Sequence, residues 1–151
     1  MATEIERKFL LKNDDWKKSV ESKVRIDQYY IYINGKDQIR LRVMGDKYYF
    51  TKKIGIKDTN ISRNEIEKQI SESTFNELLT FAVSKTSKTR HFVPLNKKEH
   101  RYVEIDVFDN GIITAEIELL SENEIIQLPS FIGEDVTDDD SYSNIALSIK
   151  I

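Results

Sequence analysis

Short runs in which apolar and polar residues alternate recur along most of the chain. They fall near residues 3–11, 24–33, 37–44, 46–54, 62–70, 86–94, 100–109 and 112–120 and are rich in Ile, Val, Tyr, Phe and Thr. A period of two with β-branched and aromatic content is strand behaviour, so about eight strands are expected. NGKD at 34–37, GDK at 45–47 and DNG at 109–111 supply tight turns, which makes neighbouring strands mostly antiparallel. Helical spacing is confined to 14–22, after the cap candidates Asn13 and Asp14, to 74–83, with Phe75, Leu78, Leu79 and Ala82 on one face, and to 143–149. A further helical turn is expected at Ser121, where Ser121 and Glu124 have the capping-box spacing and Pro129 ends the segment. These helices read as covers over a sheet rather than as a bundle.

Within the strands, like charges recur two residues apart, and residues i and i+2 point to the same face. Glu4 and Glu6 precede Lys8; Arg40 and Arg42 flank Leu41; Arg63, Glu65 and Glu67 run together. Lys88 and Arg90, Glu104 and Asp106, and Glu116 and Glu118 complete the set. A single pair of this kind fits an ordinary sheet with its charged face in water. The pairs are segregated by sign within each strand, however, whereas a merely solvated face intersperses signs. If about eight strands close into a barrel with Ile and Leu outward, the charged positions line the lumen. Four carboxylates about 4 Å apart would then repel through six pairs of about 4 kcal/mol each at an effective dielectric of 20, so protons, bases or metal must intervene.

The composition narrows the chemistry. With 26 acids, 23 bases and a net charge of -3, the chain has no global field for nucleic acid or a membrane surface. The absence of cysteine removes disulfides, thiolate catalysis and cysteine-ligated zinc. The first residues carry acids and no long apolar run, so a soluble, cytoplasmic protein of one domain, residues 1–151, is expected. Oxygen-only ligands beside Arg and Lys suit Mg²⁺ or Mn²⁺ bridging a phosphate chain.

EIERKF at 4–9 resembles the N-terminal ExExK signature of the CYTH superfamily, the triphosphate tunnel metalloenzymes. It is followed in order by RLR at 40–42, Lys53, SRNEIE at 62–67, KTR at 88–90, VEIDVF at 103–108 and AEIE at 115–118. The tail GEDVTDDDSYSNIAL at 133–147 resembles the closing segment of small bacterial members. The resemblance implies an α+β, mainly β fold: an eight-stranded antiparallel closed barrel with a few covering helices, whose lumen takes a triphosphate and one or two divalent cations.

Carried over position by position, the resemblance makes Glu4, Glu6, Glu116 and Glu118 metal-directed carboxylates, with Asp106 a further candidate. Lys8, Arg40, Arg42, Lys53, Lys88 and Arg90 match the bases that grip phosphate oxygens, for which the planar fork of arginine is well shaped. Lys53 is preferred to Lys52 because it shares a face with Thr51. Lys8, Glu65 and Glu118 form the expected catalytic set, with Glu65 or Glu118 orienting water; Glu65 and Glu67 rank below the other carboxylates, positioning metal water or simply pairing with Arg63. Tyr30 can reach the lumen, although five tyrosines between 29 and 49 favour aromatic strand packing. His91 and His100 read as surface or packing residues, and Asp138 to Asp140 as a solvated acidic loop or helix start. Several relatives carry a lysine in the tail where this chain has Asp140, which leaves the basic cluster one charge short.

The expected function is metal-dependent hydrolysis of a triphosphate, above all inorganic tripolyphosphate. The competing readings are a class IV type adenylate cyclase acting on ATP, thiamine triphosphate hydrolysis, and a non-catalytic polyphosphate or nucleotide-binding module. Trp16, on an expected outer helix, offers thiamine no stacking platform. Members of the family are often dimeric, so a homodimer is an expectation, although no segment marks an interface.

Overall fold

A computed structural model describes residues 2–59 and 61–151. The strands are β1 (Ala2–Leu11), β2 (Ser22–Asn34), β3 (Asp37–Met44), β4 (Lys47–Gly55), β5 (Ser62–Ile70), β6 (Ser84–Asn96), β7 (Arg101–Phe108) and β8 (Ile113–Glu118). Each pairs antiparallel with its neighbours in the order β6-β2-β3-β4-β5-β1-β8-β7, and β7 returns to β6 to close an eight-stranded barrel. Two short strands extend the wall: β9 (Ile132–Asp135) pairs with the end of β1, and β10 (Ile149–Lys150) with the start of β6. The expected strands at 37–44 and 62–70 coincide with β3 and β5, and the other six agree within two residues at each end. The hairpin turns form where Gly35 and Gly45 take φ of 59° and 63°, a left-handed conformation that costs glycine little.

The covers differ from expectation. Residues 14–22 form only a 3-10 turn, Asp15–Ser19. Asn13 Oδ1 accepts from the backbone of Asp15, an Asx turn in place of a helix cap, and Trp16 drops into the core at 2% exposure. The single α-helix among the described residues, α1 (Glu72–Leu79), starts earlier than 74 because Ser71 accepts from the Thr74 N–H and caps it. Its Phe75 is buried against Tyr29 and Tyr48. Residues 143–149 form no helix; a 3-10 turn at Asp140–Tyr142 leads into β10. At Ser121 the capping box is replaced by a longer reach, in which Glu124 accepts from the Leu120 N–H and pairs with Arg101.

The apolar cluster lies outside the barrel. Phe9, Val93, Val103, Ile105, Ala115, Ile117 and Leu119 project outward from β1, β6, β7 and β8 and pack with Trp16, Phe131 and Ile132. The opposite parity of the same strands faces inward and carries the charges. Among the described residues, no helix is long and apolar enough to cross a membrane.

Candidate active site

The lumen is a cavity of about 760 Å³. Register fixes who meets whom in its wall, because directly opposed residues share a face. Arg40 stands opposite Thr51 and Thr51 opposite Glu67; Lys53 is opposite Glu65; Glu6 is opposite Glu118, and Lys8 opposite Glu116. Lys52 points outward and is exposed. Every base expected at the site lines the cavity: Lys8, Arg40, Arg42, Lys53, Lys88 and Arg90. So do Glu4, Glu6, Glu65, Glu116 and Glu118.

Asp106 sits apart from the other expected carboxylates. It does not line the cavity; fully buried beneath it, its carboxylate accepts from Lys88 Nζ at 2.7 Å and from Arg90 Nε and Nη2 at 2.8 and 3.0 Å. Burial opposes ionisation, but the two cations hold its pKa below the ordinary aspartate value. Both oxygens thus accept from bases, the arrangement of a counterion. Glu104, two residues earlier on the same face, does line the cavity and contacts Arg90 Nη1. Arg63 lines it too, 3.8 Å from Glu4. Both belong to the same-face charge runs, which were the available signal for them.

The cations fall into two groups. Lys53 lies 2.9 Å from Glu4 and 3.3 Å from Glu65, and Lys8 3.5 Å from Glu116. Arg40 and Arg42, 4% and 8% exposed, have no carboxylate within ion-pair distance among the described residues, and Arg40 Nε has no hydrogen-bond partner. Burial, together with Arg40 and Arg90, lowers the Arg42 pKa to about 10. Burial is also the main reason that Lys88 falls to about 8, despite Asp106. Tyr30 faces inward opposite Arg40, fully buried, and its hydroxyl accepts from Gln28 Nε2.

On the acidic wall the carboxyls pair with one another. Burial, then Glu116 and Glu4, raises the Glu6 pKa well above the usual carboxylate range. Glu116 stays ionised well below that range, because Lys8, Lys88, Arg90 and a hydrogen bond from Glu6 outweigh its burial. Its Oε1 is buried with no hydrogen-bond donor. A protonated Glu6 beside an ionised Glu116 is the arrangement that a divalent cation would displace, so the donor set fits a hard cation. Among the described residues, no group of three or more acidic or histidine side chains could hold an ion unaided. Water and phosphate oxygens would have to complete its shell, as is usual for Mg²⁺.

The tail crosses the tunnel mouth. Thr137 Oγ1 accepts from the Lys8 N–H, Lys8 Nζ donates to the Tyr142 carbonyl at 3.0 Å, and Lys88 Nζ donates to Asn144 Oδ1 at 2.7 Å. Asp139 caps the 3-10 turn by accepting from Ser141, and Asp140 lines the cavity. His91 packs edge-on against Trp16, and His100 occupies a turn with φ of 52°.

The sequence profile of the CYTH domain matches residues 2–145. The chain belongs to the CYTH family. A CYTH relative, an inorganic triphosphatase from Acetivibrio thermocellus, is 37% identical over 95% of this chain and 92% of its own. Another, an inorganic triphosphatase from Nitrosomonas europaea, is 33% identical over 99% of both chains. A crystal structure of an inorganic triphosphatase superposes with a TM-score of 0.64 at 31% identity, covering 99% of this chain and 97% of that one. This CYTH barrel therefore combines the family's fold with a lumen whose two walls carry opposite charge.

Proposed function

We propose that the protein is a divalent-metal-dependent triphosphatase whose preferred substrate is inorganic tripolyphosphate, with residues 1–151 acting as one cytoplasmic CYTH domain. The observation that supports this reading is the pair of buried guanidiniums, Arg40 and Arg42, without an ion-paired carboxylate among the described residues, across the lumen from an acidic wall. Buried cations without counterions are costly and are matched by a bound polyanion. The names of the relatives support the same substrate.

In this reading Lys8, Arg40, Arg42, Lys53, Lys88 and Arg90 bind and straighten the phosphate chain. Glu4, Glu6, Glu116 and Glu118 would hold Mg²⁺ or Mn²⁺, with water and phosphate oxygens completing the shell. The cation, when bound, neutralises charge on the phosphate oxygens and orders water. The remaining work belongs to side chains. The guanidinium forks fix non-bridging oxygens in two-point contacts, and Lys8 and Lys88 meet the charge that builds up on the departing phosphate. Glu65 or Glu118 orients the attacking water; Glu65 already touches both Glu4 and Lys53, and Glu118 sits exposed at the mouth. To serve as a ligand Glu6 would have to be ionised, its proton passing to solvent.

The test is phosphate release from tripolyphosphate with Mg²⁺ or Mn²⁺, beside ATP and thiamine triphosphate, with cyclic AMP monitored. Release from tripolyphosphate that stops on chelation is the expected result. Cyclic AMP as the main product would replace the reading with a cyclase. No turnover, with thermal stabilisation by tripolyphosphate, would replace it with a binding module.

A further inference from the structure

The cationic wall contains a neutral side chain at its centre. Gln28, on β2, is fully buried, and its Oε1 accepts from both Nε and Nη2 of Arg42, at 3.1 and 2.7 Å. Its Nε2 donates to the Tyr30 hydroxyl at 3.3 Å and stands 3.5 Å from Asn144 Oδ1. That same Asn144 oxygen accepts from Lys88 at 2.7 Å, while the Asn144 carbonyl accepts from Thr86 at 2.8 Å. Arg42 is therefore aimed by a carboxamide, in contrast to Arg90, whose fork rests on Asp106 and Glu104.

The difference has a physical meaning. A carboxylate at position 28 would orient the guanidinium equally well but would also cancel its charge. A carboxamide fixes the direction of the fork and leaves the full positive charge for an incoming anion. We infer that Gln28, braced by Asn144, is a positioning residue that presents Arg42 to the phosphate chain without neutralising it. The inference rests on the triphosphatase reading for the identity of that chain, but its geometry concerns the binding of a polyphosphate anion, which is measurable without turnover.

The experiment compares Gln28→Glu, Gln28→Met, Arg42→Ala and the double variant Gln28→Glu/Arg42→Ala with the unaltered chain. It reads the dissociation constant for tripolyphosphate by calorimetry without metal, and kcat and KM with Mn²⁺. Gln28→Glu should weaken binding about 10- to 100-fold and raise KM more than it lowers kcat, the range of a lost charge-assisted contact. Gln28→Met, which frees Arg42 without neutralising it, should fall between the two. In the Arg42→Ala background, Gln28→Glu should cost at most about twofold more, because its target is gone. Unchanged binding in Gln28→Glu, or full multiplicative effects in the double variant, would overturn the inference. Failure of the unaltered chain to hydrolyse tripolyphosphate would overturn the proposed activity instead, and the binding comparison would still decide the role of Gln28. Circular dichroism of each variant separates an unfolded protein from an altered site.

Discussion

Replacing Asp106 by Asn tests whether that residue is a counterion. The substitution keeps the shape of the side chain and removes one negative charge from a fully buried position. An amide nitrogen then replaces one oxygen, so either Lys88, at 2.7 Å, or Arg90, at 2.8 Å, meets a donor in place of an acceptor, and both lose the negative charge. At an effective dielectric of 20, attraction between unit charges at 2.7 Å is about 6 kcal/mol before desolvation is subtracted. Deleting one member of a buried pair leaves the other charge uncompensated and typically costs about 3–5 kcal/mol. Here Lys88 loses its ion-paired carboxylate while Arg90 keeps Glu104 and Glu116, and Arg42 is close enough to repel both cations. For a chain of this size such a loss lowers the melting temperature by about 6–20 °C. Urea denaturation followed by circular dichroism, run without metal or phosphate, measures it. A metal-directed Asp106 would behave otherwise: stability would hold or rise as carboxylate crowding eased, and only metal-dependent activity would fall. Asp106→Asn with unaltered stability would refute the counterion argument.

Three further outcomes are expected. Glu6→Gln imitates the protonated carboxyl, so stability without metal should stay within about 1 kcal/mol of the unaltered chain, while thermal stabilisation by Mn²⁺ and tripolyphosphate turnover are largely lost. The Lys88 ammonium titrates near 8; it carries its charge below that pH and loses it above, so kcat/KM for tripolyphosphate should decline above about pH 8, by up to tenfold per unit, in a pH–rate profile. Trp16→Ala removes a buried indole from the outer cluster and should cost about 3–5 kcal/mol in denaturant unfolding, with KM unchanged in the fraction that remains folded.

The barrel was legible because charge alternation marks both the strands and their inward face: the positions from Glu4 to Glu118 that looked like a lumen are one. The covers were less legible because they are made by tertiary contact. β10 consists of two residues that become a strand only where Ile149 and Lys150 meet Lys85 and Ser84. Trp16 lies in a segment of helical spacing, yet its packing against His91 outweighs that preference. Gln28 and Asn144 escaped notice because neutral amides leave no trace in a pattern of charges. Counting back from the Asn34–Asp37 turn would not have recovered Gln28 either. It would be set opposite Val43, but the irregularity between Tyr30 and Tyr32 shifts the pairing and brings it to Arg42. The depth of Asp106 was not legible either, because parity establishes that a side chain points inward and not how deep it sits.

The apolar cluster on the outer wall bears on how such a protein can change. In most domains the residues that fold the chain occupy the centre, and new chemistry has to be built around them. Here most of that duty lies on the outer wall, where residues such as Ile105, Ala115 and Ile117 secure the strands from the far side. A substitution on the inward parity alters the ligand environment while leaving the packing surface intact, provided that charges are exchanged in balanced sets such as Lys88, Arg90 and Asp106. Evolutionary drift on the two faces is thus uncoupled: one can be tuned for heat or partners, the other for a different anion, within a single set of strands.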